Sequence, residues 1–180
     1  MEKRVVIEIL EKGHKDFKKV IGELDSETLD SVQAIGKWPV RDVLAHITAW
    51  YLEFIREIDS FLIDKPIINL PSGDDAFNQR EVRLRKDKKL EELLKEWEDS
   101  YKALIGKVES LSEDEWNHIC TGHFWPDTKE EVGVQSLFAT YQDSGTSHEG
   151  EHAREIKNFF DLWVTMKLVF KLASGISFLT

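Results

Sequence analysis

His148 and His152 stand four residues apart in Ser147-His148-Glu149-Gly150-Glu151-His152. A helix through this segment offers both imidazoles to one point. That spacing is the helical way of presenting two nitrogen ligands to a single metal ion. His46 adds a third ring. It lies one step round from the stripe of Val43, Ile47 and Tyr51, where a side chain points along a groove between helices. Three imidazoles from two facing helices leave coordination positions open, which is the pattern of a catalytic rather than a structural site. A neutral three-histidine set leaves the full charge on the ion. Such an ion lowers the pKa of bound water, or takes up a thiolate, and polarises an epoxide or carbonyl. The affinity order for these donors favours zinc, nickel or copper. Imidazole ligands need acceptors for their second nitrogen, and Asp42, Glu53, Glu149 and Glu151 lie close enough in sequence to serve.

The remaining candidates for chemistry rank lower. His14 occupies a surface-leaning helix position, and His118 and His123 fall in a loop without ligand spacing. Cys120 lies in the same polar loop with no base near it in sequence. The six tryptophans read at least as well as core filling as they do as a ligand cage. Residues 80–89 carry charges of both signs and read as a solvated face.

The elements that must position the three histidines are helical. Val6, Ile9, Leu10, Phe17, Val20, Ile21 and Leu24 repeat at helix spacing and predict a first helix over residues 3–23, with Gly13 a weak point inside it. After a turn-like stretch over 25–37, Pro39 falls in the first turn of a second helix that carries His46 and a long apolar stripe to Leu62. Residues 64–73 form a connector, and Asp74 or Asp75 caps the helix that follows. Asp87 marks a kink or re-start, after which Leu90, Leu93, Leu94, Trp97, Tyr101 and Leu104 carry the period to about residue 109. A cap and short turn at 111–115 and a loop over 117–128 come next. The last helix opens at Val134, Leu137, Phe138 and Tyr141 and runs through Ile156 to Trp163, locally weakened by Gly145 and Gly150. No strand-like alternation and no internal repeat compete with this reading, so the architecture is an all-α four-helix bundle.

Composition bounds the function. A chain of 180 residues with 41% hydrophobic residues fills one domain over 1–180, of which 164–180 form an apolar C-terminal extension. The 24 basic against 34 acidic side chains leave a charge of −10, which argues against nucleic acid and anionic membrane surfaces. No secretory signal opens the chain, and its most apolar stretch, 159–180, is interrupted by Asp161, Lys167 and Lys171. With one unpaired cysteine, the expected location is the cytoplasm.

The segment Trp38-Pro39-Val40-Arg41-Asp42-Val43-Leu44-Ala45-His46 resembles the second-helix signature of DinB-like proteins, whose histidine binds metal. Phe77-Asn78 resembles the start of their third helix, and His148-x-x-x-His152-Ala153-x-x-Ile156 their fourth-helix pair. The resemblance extends from about residue 3 to 163. Four positions depart from it: Glu155 replaces the usual Gln, Glu149 replaces a frequent aromatic, and Gly145 and Gly150 flank the pair where family helices carry better helix formers. The resemblance implies an up-down-down-up topology, frequent homodimers, and a divalent ion, zinc or nickel, on His46, His148 and His152. Family members of known chemistry include transferases and isomerases dependent on a low-molecular-weight thiol such as bacillithiol or mycothiol. The expected function is therefore a metal-dependent thiol transferase or hydrolase acting on a small electrophile. The alternatives are a non-catalytic protein that sequesters small molecules for stress or self-resistance, and a purely structural dimerisation bundle.

Overall fold

A computed structural model describes residues 1–67, 73–126 and 129–174, with the side chains of 73, 74 and 167–174 excepted. Four long helices make the body: α1 (Lys3–Gly22), α3 (Val40–Phe61), α5 (Leu90–Ser110) and α8 (His148–Ser174). Helix α1 packs on α8 and α5, and α3 packs on α5 and α8, so each long helix has two long neighbours. Among the described residues the remaining helical segments are short: α2 (Ser26–Ser31), α4 (Gly73–Arg85), α6 (Glu113–Trp116), α7 (Ala139–Ser144) and a 3₁₀ turn at Val134–Phe138. The chain is an all-α helical bundle.

The apolar repeats dictate which faces turn inward. Val6, Leu10, Phe17 and Ile21 of α1 are buried against Val43, Leu44, Ile47 and Ile58 of α3 and Trp97, Leu104 and Val108 of α5. Local capping sets several boundaries. Asp25 accepts from the Thr28 backbone N–H at 2.7 Å to start α2. Ser112 and Glu115 satisfy each other's backbone donors to start α6. Pro39 is the residue just before α3, one position earlier than its expected place in the first turn. Helix α4 begins at Gly73, so Asp74 and Asp75 fall inside its first turn rather than ahead of it. Of the connector over 64–73, residues 68–72 lie outside the described residues, as do 127 and 128 of the later loop.

Three expectations are corrected. Two small antiparallel ribbons interrupt the helical order: β1 (Gln33–Ile35) with β2 (Trp38–Pro39), and β3 (Ile119–Phe124) with β4 (Glu131–Gly133). β1, β2 and β4 are too short to alternate, and β3, six residues long, buries Cys120 alone. The apolar residues from Val134 to Tyr141 do not open the last helix; they belong to the 3₁₀ turn and α7. Gly145 then adopts the left-handed backbone (φ +65°), ending α7 and letting the chain restart as α8 at His148.

Gly13 and Gly150, read as weak points, are the place where α1 and α8 touch. A Cβ on Gly13 would lie 1.9 Å from Ser147 Oγ and 3.1 Å from the Gly150 backbone nitrogen. A Cβ on Gly150 would lie 3.3 Å from the Gly13 Cα. The two backbones approach because neither residue has a side chain. Gly13→Ala should therefore destabilise the fold by about 1–3 kcal/mol, the usual cost of overpacking, although Ala is the better helix former. Urea unfolding followed by circular dichroism measures it, and a stabilised variant would refute the close-approach role.

Candidate metal centre

The N-terminus of α8 carries two of the three histidines. Ser147, fully buried, caps the helix by accepting from the Gly150 N–H at 3.2 Å. His148 is thereby the first helical residue and His152 sits one turn on. From α3, His46 projects to the same point and is 5% exposed. His148 Nε2 lies 2.9 Å from His46 Nε2 and 3.0 Å from His152 Nε2. The structure thus brings together all three residues singled out by spacing, with their donor atoms within 4.8 Å of one another.

This geometry fits a cation. An imidazole nitrogen holds either a proton or a lone pair, so one proton on His148 Nε2 cannot satisfy two facing nitrogens by good linear bonds at once. Three lone pairs aimed inward repel unless a positive charge sits between them. Burial favours the uncharged rings that such a site needs. Desolvation, reinforced by the charge of His152, pushes His46 down to about 3, with Asn78 opposing the fall. Desolvation and then the two neighbouring histidines hold His148 well below the ordinary imidazole range. The positive end of the α8 dipole acts in the same sense on His148.

Aromatic rings wall the centre. Trp38 lies 5.1 Å from the His46 ring, and Trp50 lies 6.3 Å from His46 and 6.2 Å from His148, centroid to centroid. Trp50 is itself held in place: Phe77 packs on it at 5.0 Å, and its indole N–H donates to Asn78 Oδ1 at 2.8 Å. The Phe77-Asn78 pair thus fixes the wall of the site. Two of the six tryptophans line the histidines, whereas Trp97 and Trp116 are core residues.

The carboxylates divide differently from the expectation. His152 Nδ1 pairs with Glu155 at 2.9 Å, so the residue that departs from the family pattern supplies the ring's acceptor. Its i, i+3 spacing was the available signal. Glu53 is engaged by Arg56 instead. His46 Nδ1 is buried without a hydrogen-bond partner, which excludes both Asp42 and Glu53 from that role. Glu149 points away from the centre, into the core. It is fully buried and accepts from Tyr51 Oη and from Trp97 Nε1 at 2.6 Å, with His14 Nδ1 at 3.3 Å. His14 is therefore no surface residue: it is 7% exposed, stacks on Tyr101 at 3.6 Å and also lies 3.4 Å from Glu98. Cys120 is likewise fully buried rather than exposed in a polar loop. Within residues 80–89, Arg85 is 8% exposed and bridges Glu81 and Glu96, so this face is partly docked.

A helical bundle with three convergent histidines on two helices defines the class of a helical protein with a candidate metal site. The family model of the DinB superfamily matches residues 9–156, and the chain belongs to that superfamily. Comparison with curated proteins and with solved structures finds no match. No helix among the described residues is long and apolar enough to cross a membrane.

Proposed function

We propose that this protein is a metal-dependent thiol transferase or hydrolase acting on a small electrophile, with His46, His148 and His152 as the ligands of a zinc or nickel ion. One observation carries the reading: three imidazole Nε2 atoms converge from two helices, two of the contacts at 2.9 and 3.0 Å. A bound ion would supply Lewis acidity and would lower the pKa of a coordinated thiol or water. The protein's own part is to hold His46 and His148 neutral by burial, to orient His152 through Glu155, and to shield one side of the centre with Trp38 and Trp50. Because the ligands carry no charge, the cation keeps its full pull on an anionic sulfur or oxygen. The rest of the reading has three supports: the charge of −10 speaks against a nucleic-acid or membrane partner, the single unpaired cysteine for a cytoplasmic location, and the family for a small-molecule substrate and a homodimer with a low-molecular-weight thiol as co-substrate.

The test is metal analysis of protein purified without a histidine tag, followed by an assay for thiol consumption against a panel of epoxides and activated esters. Stoichiometric metal and chelator-sensitive turnover are expected. Lack of metal, with no rebinding after dialysis, would end the proposal. Saturable small-molecule binding that survives loss of all three histidines would instead mark a sequestering pocket.

A further inference from the structure

We propose that Asp64, His118 and Cys120 form a second divalent-metal site, of zinc type, which ties the β3–β4 ribbon to the C-terminal end of α3. The site is separate from the histidine centre. His46 and Phe61 stand fifteen residues apart on α3, about 22 Å at the helical rise.

The donors converge from two segments. His118 precedes β3 and Cys120 lies two residues on, a spacing that puts both on one face of extended chain. Asp64 comes from the turn after α3, and its backbone is left-handed (φ +56°). His118 Nε2 lies 3.0 Å from Asp64 Oδ1, and one donor atom from each of the three residues falls within 4.8 Å of the others. Zinc bonds of about 2.0–2.3 Å put tetrahedral ligand atoms about 3.3–3.8 Å apart, so closure requires movements of about 1 Å. The Phe61 carbonyl organises the site, accepting from the Asp64 N–H at 2.9 Å and from Cys120 Sγ at 3.3 Å. The C-terminal end of a helix also favours a cation.

The donor set selects the metal. A thiolate with an imidazole and a carboxylate favours zinc and its transition-metal neighbours over calcium or magnesium. The Cys120 thiolate and the Asp64 carboxylate together neutralise a divalent ion. On binding, the S–H bond breaks, the sulfur's electron pair forms the S–metal bond, and the proton leaves to solvent. Cys120 is fully buried, while the His118 and Asp64 side chains are 29% and 66% exposed, which gives the ion its way in.

The chain's single cysteine makes the test selective. Cobalt(II), replacing zinc, gives a thiolate-to-metal charge-transfer band in the near ultraviolet only when sulfur is a ligand, and the histidine centre has no sulfur. Titrating the full chain with cobalt should raise this band to saturation, equally in the His148→Ala variant. Zinc should displace it. His118→Ala and Asp64→Asn should each weaken the transition by about tenfold or more, and Cys120→Ser should abolish it. Circular dichroism verifies that each variant is folded; the two partly exposed positions keep the test decisive if Cys120→Ser is not. Absence of the band at excess cobalt would overturn the proposal, as would a band of unchanged affinity in both His118→Ala and Asp64→Asn.

Discussion

Glu149→Ala is expected to lower the free energy of unfolding by about 3–5 kcal/mol, the cost of removing one partner from a buried charged network. The carboxylate has no solvent exposure, and it serves Tyr51, Trp97 and His14, each from a different long helix. Truncation leaves a phenol, an indole and an imidazole facing a cavity, each needing a partner that water is poorly placed to supply. The Tyr51 phenol shows the strength of the arrangement: desolvation first, and then the Glu149 charge, hold its pKa well above the ordinary phenol range, so it remains a donor. Glu149→Gln keeps the volume and one acceptor oxygen and should lose clearly less. Thermal unfolding should show Glu149→Ala lower by about 10 °C, at about 2–4 °C per kcal/mol for a chain of this size. Chemical denaturation of the three proteins decides the matter. A loss below about 1 kcal/mol for Glu149→Ala would mean that the network is incidental to stability.

The same residue shows where sequence reading ends. His148 and His152 were legible because i, i+4 is a local spacing, and His46 because its helix announces its own apolar face. The long helices α1, α3 and α5 were legible for the same reason. In sequence Glu149 adjoins the paired histidines, yet one residue along a helix is a rotation of about 100° and turns the side chain into the core. Its partner His14 is 135 residues away, so nothing local marked that histidine as buried. Gly13 and Gly150 form another such pair: each alone reads as a poor helix former, and only the contact of α1 with α8 gives them their role. The start of the last helix is hidden in the sequence because the helical spacing from Val134 to Tyr141 belongs to a 3₁₀ turn and a short helix. The restart depends on one backbone angle at Gly145.

Measured in a Cys120→Ser background, which removes the thiolate site, His148→Ala should weaken divalent-metal binding by about a hundredfold or more, since even loss of an acceptor behind a ligand costs 10–100-fold. His148 is the apex of the cluster: its Nε2 lies within 3.0 Å of both other Nε2 atoms, whereas the His46 and His152 rings meet edge to face at 5.2 Å between centroids. Exposed His123 provides the control, and its replacement should leave affinity unchanged. Calorimetric titration across pH adds an independent signature. Three freely titrating imidazoles would lose about three decades of affinity per pH unit below 6.5, because each proton must be displaced. With His46 held at about 3 and His148 well below its usual value, the loss between pH 6 and 4 should be clearly shallower than that. The metal-free protein should show the converse cost. Between the unfolded-state value of 6.5 and the folded-state value near 3, the unfolded chain binds the extra proton at His46, so stability falls as the pH drops through that window. The same holds for His148, and His148→Ala should flatten the slope by removing one such group. If affinity instead falls three decades per unit in the wild-type protein, the rings are not desolvated as described. If His148→Ala retains full affinity in the Cys120→Ser background, the convergence of nitrogens at the head of α8 is not a metal centre.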